Sequence, residues 1–527
     1  MARDGPAQTG RVALRDRQRL IMTYDGGETA CGPEELDAQI RSLVQCFEGS
    51  HVGIFQRCLG GVHAFQGSEV LEVDERLKPC VDAGVDPLAV VVDECHKCGM
   101  QAWGSYRMND AHHTYSILEV DRYQTRFYKE HPELRQRSWR DHQVSSTYDW
   151  LKPEIRAQNL AFLRDVAERF DVDGLDLDFT RIPPFFNPDE IGSGREAMTQ
   201  HVRDVRTMLD EVGRSKGVRL GLSAQLYTTD SLWPEFDEEP ERDIDRHLAD
   251  GLDVRAWVRE GLLDILGAHC RSDSLFEMDV STWVDATRGT DCRLFAGPGK
   301  PMRYRFGKQG LVEGFPATRT NRWEHRAIAH RLYEQGVDGI LFYDYVIRHH
   351  ELQWEVYREL GDPERMRRAN KTYVYQVALP LSLGLRNEGG SGEISIDVPE
   401  DLDAARAQAC PASVRLLLNI TQLTVPEDVR LEVNGQAVPV GREQGVTTPL
   451  TISDHPGDSP VCRLEAVLEP GLLRPGRNTL RFELQPQVEA VMGVAPEPCE
   501  VRKVNVELVY RDETYPFWLA MQLDRRR

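Results

Sequence analysis

The sequence predicts an α/β chain in which a (β/α)8 TIM barrel is followed by an antiparallel β-sandwich. Three observations carry that expectation. Up to about residue 370 the chain alternates strand-like and helix-like segments eight times, the count of a closed parallel barrel. One strand-like segment, "DVDGLDLDFTR" (Asp171 to Arg181), alternates Leu175, Leu177 and Phe179 with Asp176, Asp178 and Thr180. Alternate side chains of a strand share a face, so one face is apolar and the other carries two carboxyls and a hydroxyl. Beyond residue 370 the helical periodicity stops, and short alternating runs are separated by Gly, Pro, Asn and Asp turns, as in a sandwich. The expected division is a barrel over 1–370 and a sandwich over 371–527.

Each element has its own local reason. "RLIMTYDGG" reads as strand one, and "PEELDAQIRSLVQCF" as a helix opened by Pro33. "HVGIFQR" is strand two, followed by a helix ending at Cys98. "QAWGSYRMND" is strand three and leads into a polar loop with His112 and His113. A helix from Pro153 to Phe170, with proline first and an acid early, precedes the quoted strand four. In the next helix Met198, Val202, Val205, Leu209 and Val212 keep helical spacing, and Gly217 closes it. "VRLGLSAQLY", "DILGAH", "CRLFAGP" and "VDGILFYDY" are strands five to eight with helices between them, and a last helix begins near Glu351. A doubly wound sheet would carry a glycine-rich first turn, and "TYDGGE" is not one. "VDGLDLDFT" and "VDGILFYDY" share their opening, which places Tyr343 and Tyr345 in register with Asp178 and Thr180. If the acids point into the barrel, those tyrosines do too. "EISIDV", "SVRLLLNIT", "VRLEVNG", "NTLRFEL" and "KVNVELVY" supply the sandwich strands.

Composition excludes several function classes. Hydrophobic residues make up 40% and charged residues 28%, a globular balance. A formal charge of −21 opposes nucleic acid, which requires a basic footprint, and an anionic membrane surface. No apolar run reaches the roughly 18–20 residues of a spanning helix. The first twenty residues lack the apolar core of a secretory signal, and the eleven cysteines are thinly spread, which fits reduced thiols. The expectation is a cytoplasmic chain; a homo-oligomer is compatible with it. "CHKC" (Cys95 to Cys98) has no answering pair, so it reads as a helix end and not as zinc. Asp25, His112, His113 and His269 lack the close His-x-His spacing of barrel metal sites. No metal or cofactor is expected.

In a parallel barrel both sheet faces are covered, so Asp176 and Asp178 either point inward or are buried unfavourably under helices. Barrel sites lie at the carboxyl ends of strands. Asp178 is near that end, Asp176 is one layer deeper and Arg181 just beyond. Adjacent carboxyls push one pKa up and a guanidinium pulls one down. Such a set holds one acid protonated and another ionised, as glycoside hydrolysis requires. The same residues would also serve as a buried network that only supports the barrel.

"DGLDLDFT" resembles the strand-four signature of chitinase family 18, departing from it at Thr180, where that family has its acid glutamate. The longer pattern of "RFDVDGLDLDFTRIPPFF", the upstream "HPEL" and "DGILFYDY" resembles the bacterial barrels of the glycosyl-hydrolase-like 10 group, also called family 10 glycosylhydrolases, over about residues 15–365. This resemblance implies a barrel acting on polysaccharide or glycan strands, with the Asp178–Arg181 region in the site.

The expected function is hydrolysis of a glycosidic bond in a poly- or oligosaccharide; the alternative is a carbohydrate-binding barrel that has lost its chemistry. Asp178 is the candidate nucleophile or electrostatic stabiliser, tuned by Asp176 and Arg181, with Asp230 or Asp273 as acid/base. Candidate substrate contacts at strand ends are Tyr24, Asp25, Arg57, Arg107, His112, His113, Gln225, His269, Tyr343 and Tyr345.

Overall fold

A computed structural model describes residues 18–26, 32–61, 63–109, 125–136, 147–181, 183, 185–228, 244–270, 278–298, 305–307, 310–312, 322–343, 351–375, 381–385, 387–402, 411, 413–423, 426–442, 461–486 and 498–510. They fall into two compact units. The first is a closed barrel of eight parallel strands, β1 (Leu20–Tyr24), β2 (Val52–Gly60), β3 (Gln101–Arg107), β4 (Gly174–Asp178), β5 (Gly221–Tyr227), β6 (Ile265–Cys270), β7 (Arg293–Pro298) and β8 (Gly339–Tyr343). Each strand pairs with its neighbours in sequence, and β8 closes on β1 with Thr23 opposite Tyr343.

Helices follow the strands for local reasons. Helix α1 (Pro33–Gln45) opens on proline and buries Leu36, Ile40 and Val44 at helical spacing. The long α4 helix that follows α2 (Pro87–Lys97) and α3 (Pro153–Arg169) spans Ile191–Lys216. It ends where Gly217 turns left-handed at φ 70°. The segment expected as a last helix adopts 3₁₀ geometry over Glu351–Arg358. Tyr357 pins its end, with its ring centroid 5.2 Å from those of Phe47 and Phe342. Among the described residues no helix is long and apolar enough to cross a membrane.

Strand alternation fills the barrel in three layers. The floor is apolar: Ile21, Ile54, Trp103, Ile265, Phe295 and Leu341 form one cluster. Trp103 fits because Gly174 and Gly221 lie against it; a Cβ on them would come within 2.6 and 2.3 Å of the indole. Two residues further along β1 to β5 the inward side chains turn polar, as Thr23, Gln56, Ser105, Asp176 and Ser223. Register sets Ser105 and Ser223 on either side of Asp176, and Arg107 and Gln225 on either side of Asp178. The third layer is the mouth at the carboxyl ends of the strands.

The second unit is a β-sandwich. One sheet runs in the order Lys371–Tyr375, Pro498–Val509, Ser413–Thr421, Val461–Leu468, Gly441–Arg442, with Leu381–Leu385 also on Pro498–Val509. The other runs Gly390–Val398, Gly476–Leu484, Val429–Val433, Gln436–Val438. All neighbours are antiparallel. Alternate residues of both sheets, such as Leu416 and Leu418 against Ile396 and Phe482, share one core. The helix Arg322–Gln335 lies between β7 and β8 in the chain, yet up to Glu334 it groups with this unit. Ala327 joins the sandwich core, and Glu324, His330 and Arg331 reach Lys503, Glu400 and Asp397 at 3.3, 3.4 and 3.0 Å.

Candidate active site

Asp178 ends β4, and its backbone carbonyl accepts from the Met108 amide at 2.9 Å, fastening the end of β3 to it. The chain then turns so that Thr180 folds back on the carboxylate. The Thr180 amide donates to Oδ1 at 2.8 Å and the Thr180 hydroxyl donates to the same oxygen. Among the described residues no hydrogen bond reaches Oδ2. Burial pushes the Asp178 carboxyl up, while the charge of Arg181 and the Thr180 donors act against it.

Beside it stands a second group, drawn from β1, β3, β8 and the turn after β4. Asp25 accepts from Tyr343 Oη at 2.5 Å, meets Arg107 Nη2 at 2.5 Å and accepts from Arg181 Nη2 at 3.0 Å. Arg181 Nη2 also donates to Tyr343 Oη at 2.7 Å. Burial alone would raise the Asp25 pKa. Arg107 and Arg181 together outweigh it and hold the carboxyl well below the usual range. Burial pushes the Tyr343 hydroxyl well up, so it remains a donor.

One layer down, Asp176 accepts from Ser105 Oγ at 2.7 Å, Ser223 Oγ at 2.6 Å and Gln225 Nε2 at 2.6 Å. Burial, and then the neighbouring Asp178, push its carboxyl up to about 7 against those three donors. His269, near the end of β6, places Nε2 2.5 Å from Gln225 Oε1, with its ring edge-on to Tyr343 at 5.4 Å between centroids. Burial takes the imidazole down to about 3, and Arg181 acts in the same direction.

The structure therefore brings together Asp25, Arg107, Asp176, Asp178, Arg181, Gln225, His269 and Tyr343. Tyr24 and Arg57 turn the other way. Thr23 and Gln56 occupy the inward positions of β1 and β2, so the next residues face the outer layer. The Tyr24 ring lies 6.1 Å from Phe55, and the Arg57 guanidinium 5.9 Å from the Tyr24 centroid. His112, His113, Asp230, Asp273 and Tyr345 lie outside the described residues.

Sequence reasoning missed Thr23, Gln56, Ser105 and Ser223. A signal for them was present, since each stands two residues beyond Ile21, Ile54, Trp103 or Gly221 in a strand whose inward face was otherwise readable. Among the described residues no group of three or more His, Cys, Asp or Glu is placed to hold a metal ion. The cluster can do acid–base and electrostatic work: it sets one firmly ionised carboxylate beside two carboxyls whose protonation burial favours.

The chain has partial similarity to a few known proteins. It is 24% identical over 272 residues to Glycosyl hydrolase DigH of Escherichia coli (strain K12), a match that covers 44% of this chain and 56% of that one. The chain thus spans about half the length of this curated relative, and the Shigella flexneri protein of the same name gives the same figures. The glycoside hydrolase domain of PgaB (BpsB) from Bordetella bronchiseptica aligns over 65% of this chain and 98% of its own, at 11% identity and TM-score 0.39. A chitinase from Chromobacterium violaceum aligns over 65% and 99%, at 10% identity and TM-score 0.33. No family model matches the chain.

Proposed function

We propose that this chain is a glycoside hydrolase that cleaves a glycosidic bond in a poly- or oligosaccharide, with residues 1–370 as the catalytic part and 371–527 as a supporting sandwich. The observation that carries the reading is Asp178. It is a buried carboxyl at the end of β4 whose Oδ1 takes both Thr180 donors, while Oδ2 takes none from the described residues. That leaves one oxygen to face positive charge developing at a sugar carbon. Arg181 tunes Asp178 and, with Arg107, keeps Asp25 ionised. The acid/base is assigned to Asp230 or Asp273. The similarity to Glycosyl hydrolase DigH supports the substrate class. The eleven cysteines are thinly spread along the chain, which supports a reducing compartment, the cytoplasm.

Thr180 favours a second reading. Where chitinase family 18 carries an acid, this chain has a hydroxyl that is committed to Asp178, as a carbohydrate-binding barrel without chemistry would. A glycan panel separates the two. Release of reducing ends by the wild type, abolished in Asp178→Asn, supports the hydrolase; binding without turnover supports the binding barrel.

A further inference from the structure

The polar layer beneath the mouth runs in one direction. Asp176 accepts from Ser105, Ser223 and Gln225, so Gln225 turns its amide nitrogen toward the carboxylate. The same nitrogen donates to Gln56 Oε1 at 2.5 Å. Gln56 is itself oriented: its oxygen also accepts from Thr23 Oγ1 at 2.7 Å, and its nitrogen donates to Ser223 Oγ at 3.2 Å. With the Gln225 nitrogen committed, its Oε1 is what meets His269 Nε2 at 2.5 Å. An amide oxygen only accepts. The imidazole proton is therefore on Nε2, and Nδ1 carries the lone pair. Among the described residues no hydrogen bond reaches Nδ1.

We propose that Gln225 is a positioning residue that holds His269 as the neutral Nε2–H tautomer, so that Nδ1 accepts a hydrogen bond from a sugar hydroxyl bound at the barrel mouth. This rests on the reading of the mouth as a carbohydrate site. The groups facing the ring agree with it. Tyr343 and Tyr227 stand edge-on at 5.4 and 6.5 Å. The charge of Arg181 opposes protonation; that of Asp25 favours it but does not overcome burial and Arg181. A neutral imidazole accepts where an imidazolium only donates. A ring lacking the matching hydroxyl would leave a buried acceptor unpaired, which is how such a site discriminates between sugars.

The test is nitrogen NMR on the whole chain labelled with 15N-histidine, with His269→Gln identifying the signal. The expected wild-type spectrum shows Nε2 protonated and Nδ1 bare, unchanged between about pH 5 and 8. Molar glycerol, a small hydroxyl donor, should move the Nδ1 resonance upfield and leave Nε2 in place. Gln225→Glu keeps an acceptor oxygen but sets a carboxylate against the ring, and should bring the His269 titration up into that window. An Nδ1–H tautomer, an imidazolium in the wild type within the window, or an Nδ1 signal indifferent to glycerol would overturn the proposal. A wild type that neither cleaves nor binds any glycan, yet shows the expected tautomer and glycerol response, sinks the carbohydrate reading and leaves the Gln225–His269 assignment standing.

Discussion

Asp178→Asn removes one charge and almost nothing else. The Asn side-chain oxygen still accepts the Thr180 amide and hydroxyl that now meet Oδ1, and the new amide nitrogen takes the place of Oδ2. If the carboxylate stabilises charge developing at the sugar, the loss should match that of a single electrostatic stabiliser, about 3–4 kcal/mol, or roughly 10²–10³ in kcat. Stability should move the other way. Burial raises the Asp178 pKa, so an ionised Asp178 costs folding free energy at neutral pH that a neutral amide does not. The assay is the initial rate of reducing-end release at saturating substrate, together with the thermal midpoint of both proteins at neutral pH. The expected pair is a rate down by two to three orders of magnitude, on the scale given above, and a midpoint equal to or above the wild type. Near-normal turnover would move the chemistry elsewhere in the barrel. A rate loss with a sharply lower midpoint would show that the carboxylate acts as scaffold.

Asp25→Asn should destabilise by about 3–5 kcal/mol in urea unfolding, because buried Arg107 and Arg181 lose the carboxylate they meet at 2.5 and 3.0 Å; a change below about 1 kcal/mol would mean that the group behaves as a surface pair. Asp176 has its folded pKa raised from 3.8 to about 7. Its contribution is full below the unfolded pKa and is lost as pH rises through about 7, so Asp176→Asn should flatten the stability–pH curve across that interval, with a smaller rate loss than Asp178→Asn. An unchanged slope refutes the assignment. Gly221→Ala sets a Cβ 2.3 Å from the Trp103 ring and should lower stability by about 1–3 kcal/mol through overpacking. Gly192→Ala, with no atom within 4 Å of its Cβ, should be neutral or stabilising by up to about 1 kcal/mol; equal effects in the two variants would remove the packing argument for the barrel floor.

The barrel and sandwich were legible because their signals are local and periodic. Pro33 and Gly217 punctuate helices through backbone geometry that needs no partner. Alternation in "GLDLDFT" distinguishes two faces, and the enclosure of a parallel sheet turns the polar face inward. From that, the strand-four acids, Arg181 and the inward turn of Tyr343 followed. Period two does not say which face of an isolated strand is the inner one, so Tyr24 and Arg57 were grouped with Asp25 and Arg107 although they lie on opposite sides of their sheet.

Only closure of the barrel decided the rest. Asp25, Arg107, Arg181 and Tyr343 are far apart in sequence, and their union at 2.5–3.0 Å depends on β8 pairing with β1 and on the stagger of β3 against β4. The direction of the hydrogen bonds from His269 through Gln225 to Asp176 likewise exists only once Ser105, Ser223, Gln56 and Thr23 converge from four strands. The opposite pKa pushes on Asp25 and Asp176 come from burial and from charges brought near in space. The sequence by itself determined which strands carry carboxyls and which turn ends each helix, because those depend on the residue and its immediate neighbours. Which carboxyl keeps its charge was decided by the tertiary structure, because desolvation and Coulomb forces act through distance in space and not along the chain.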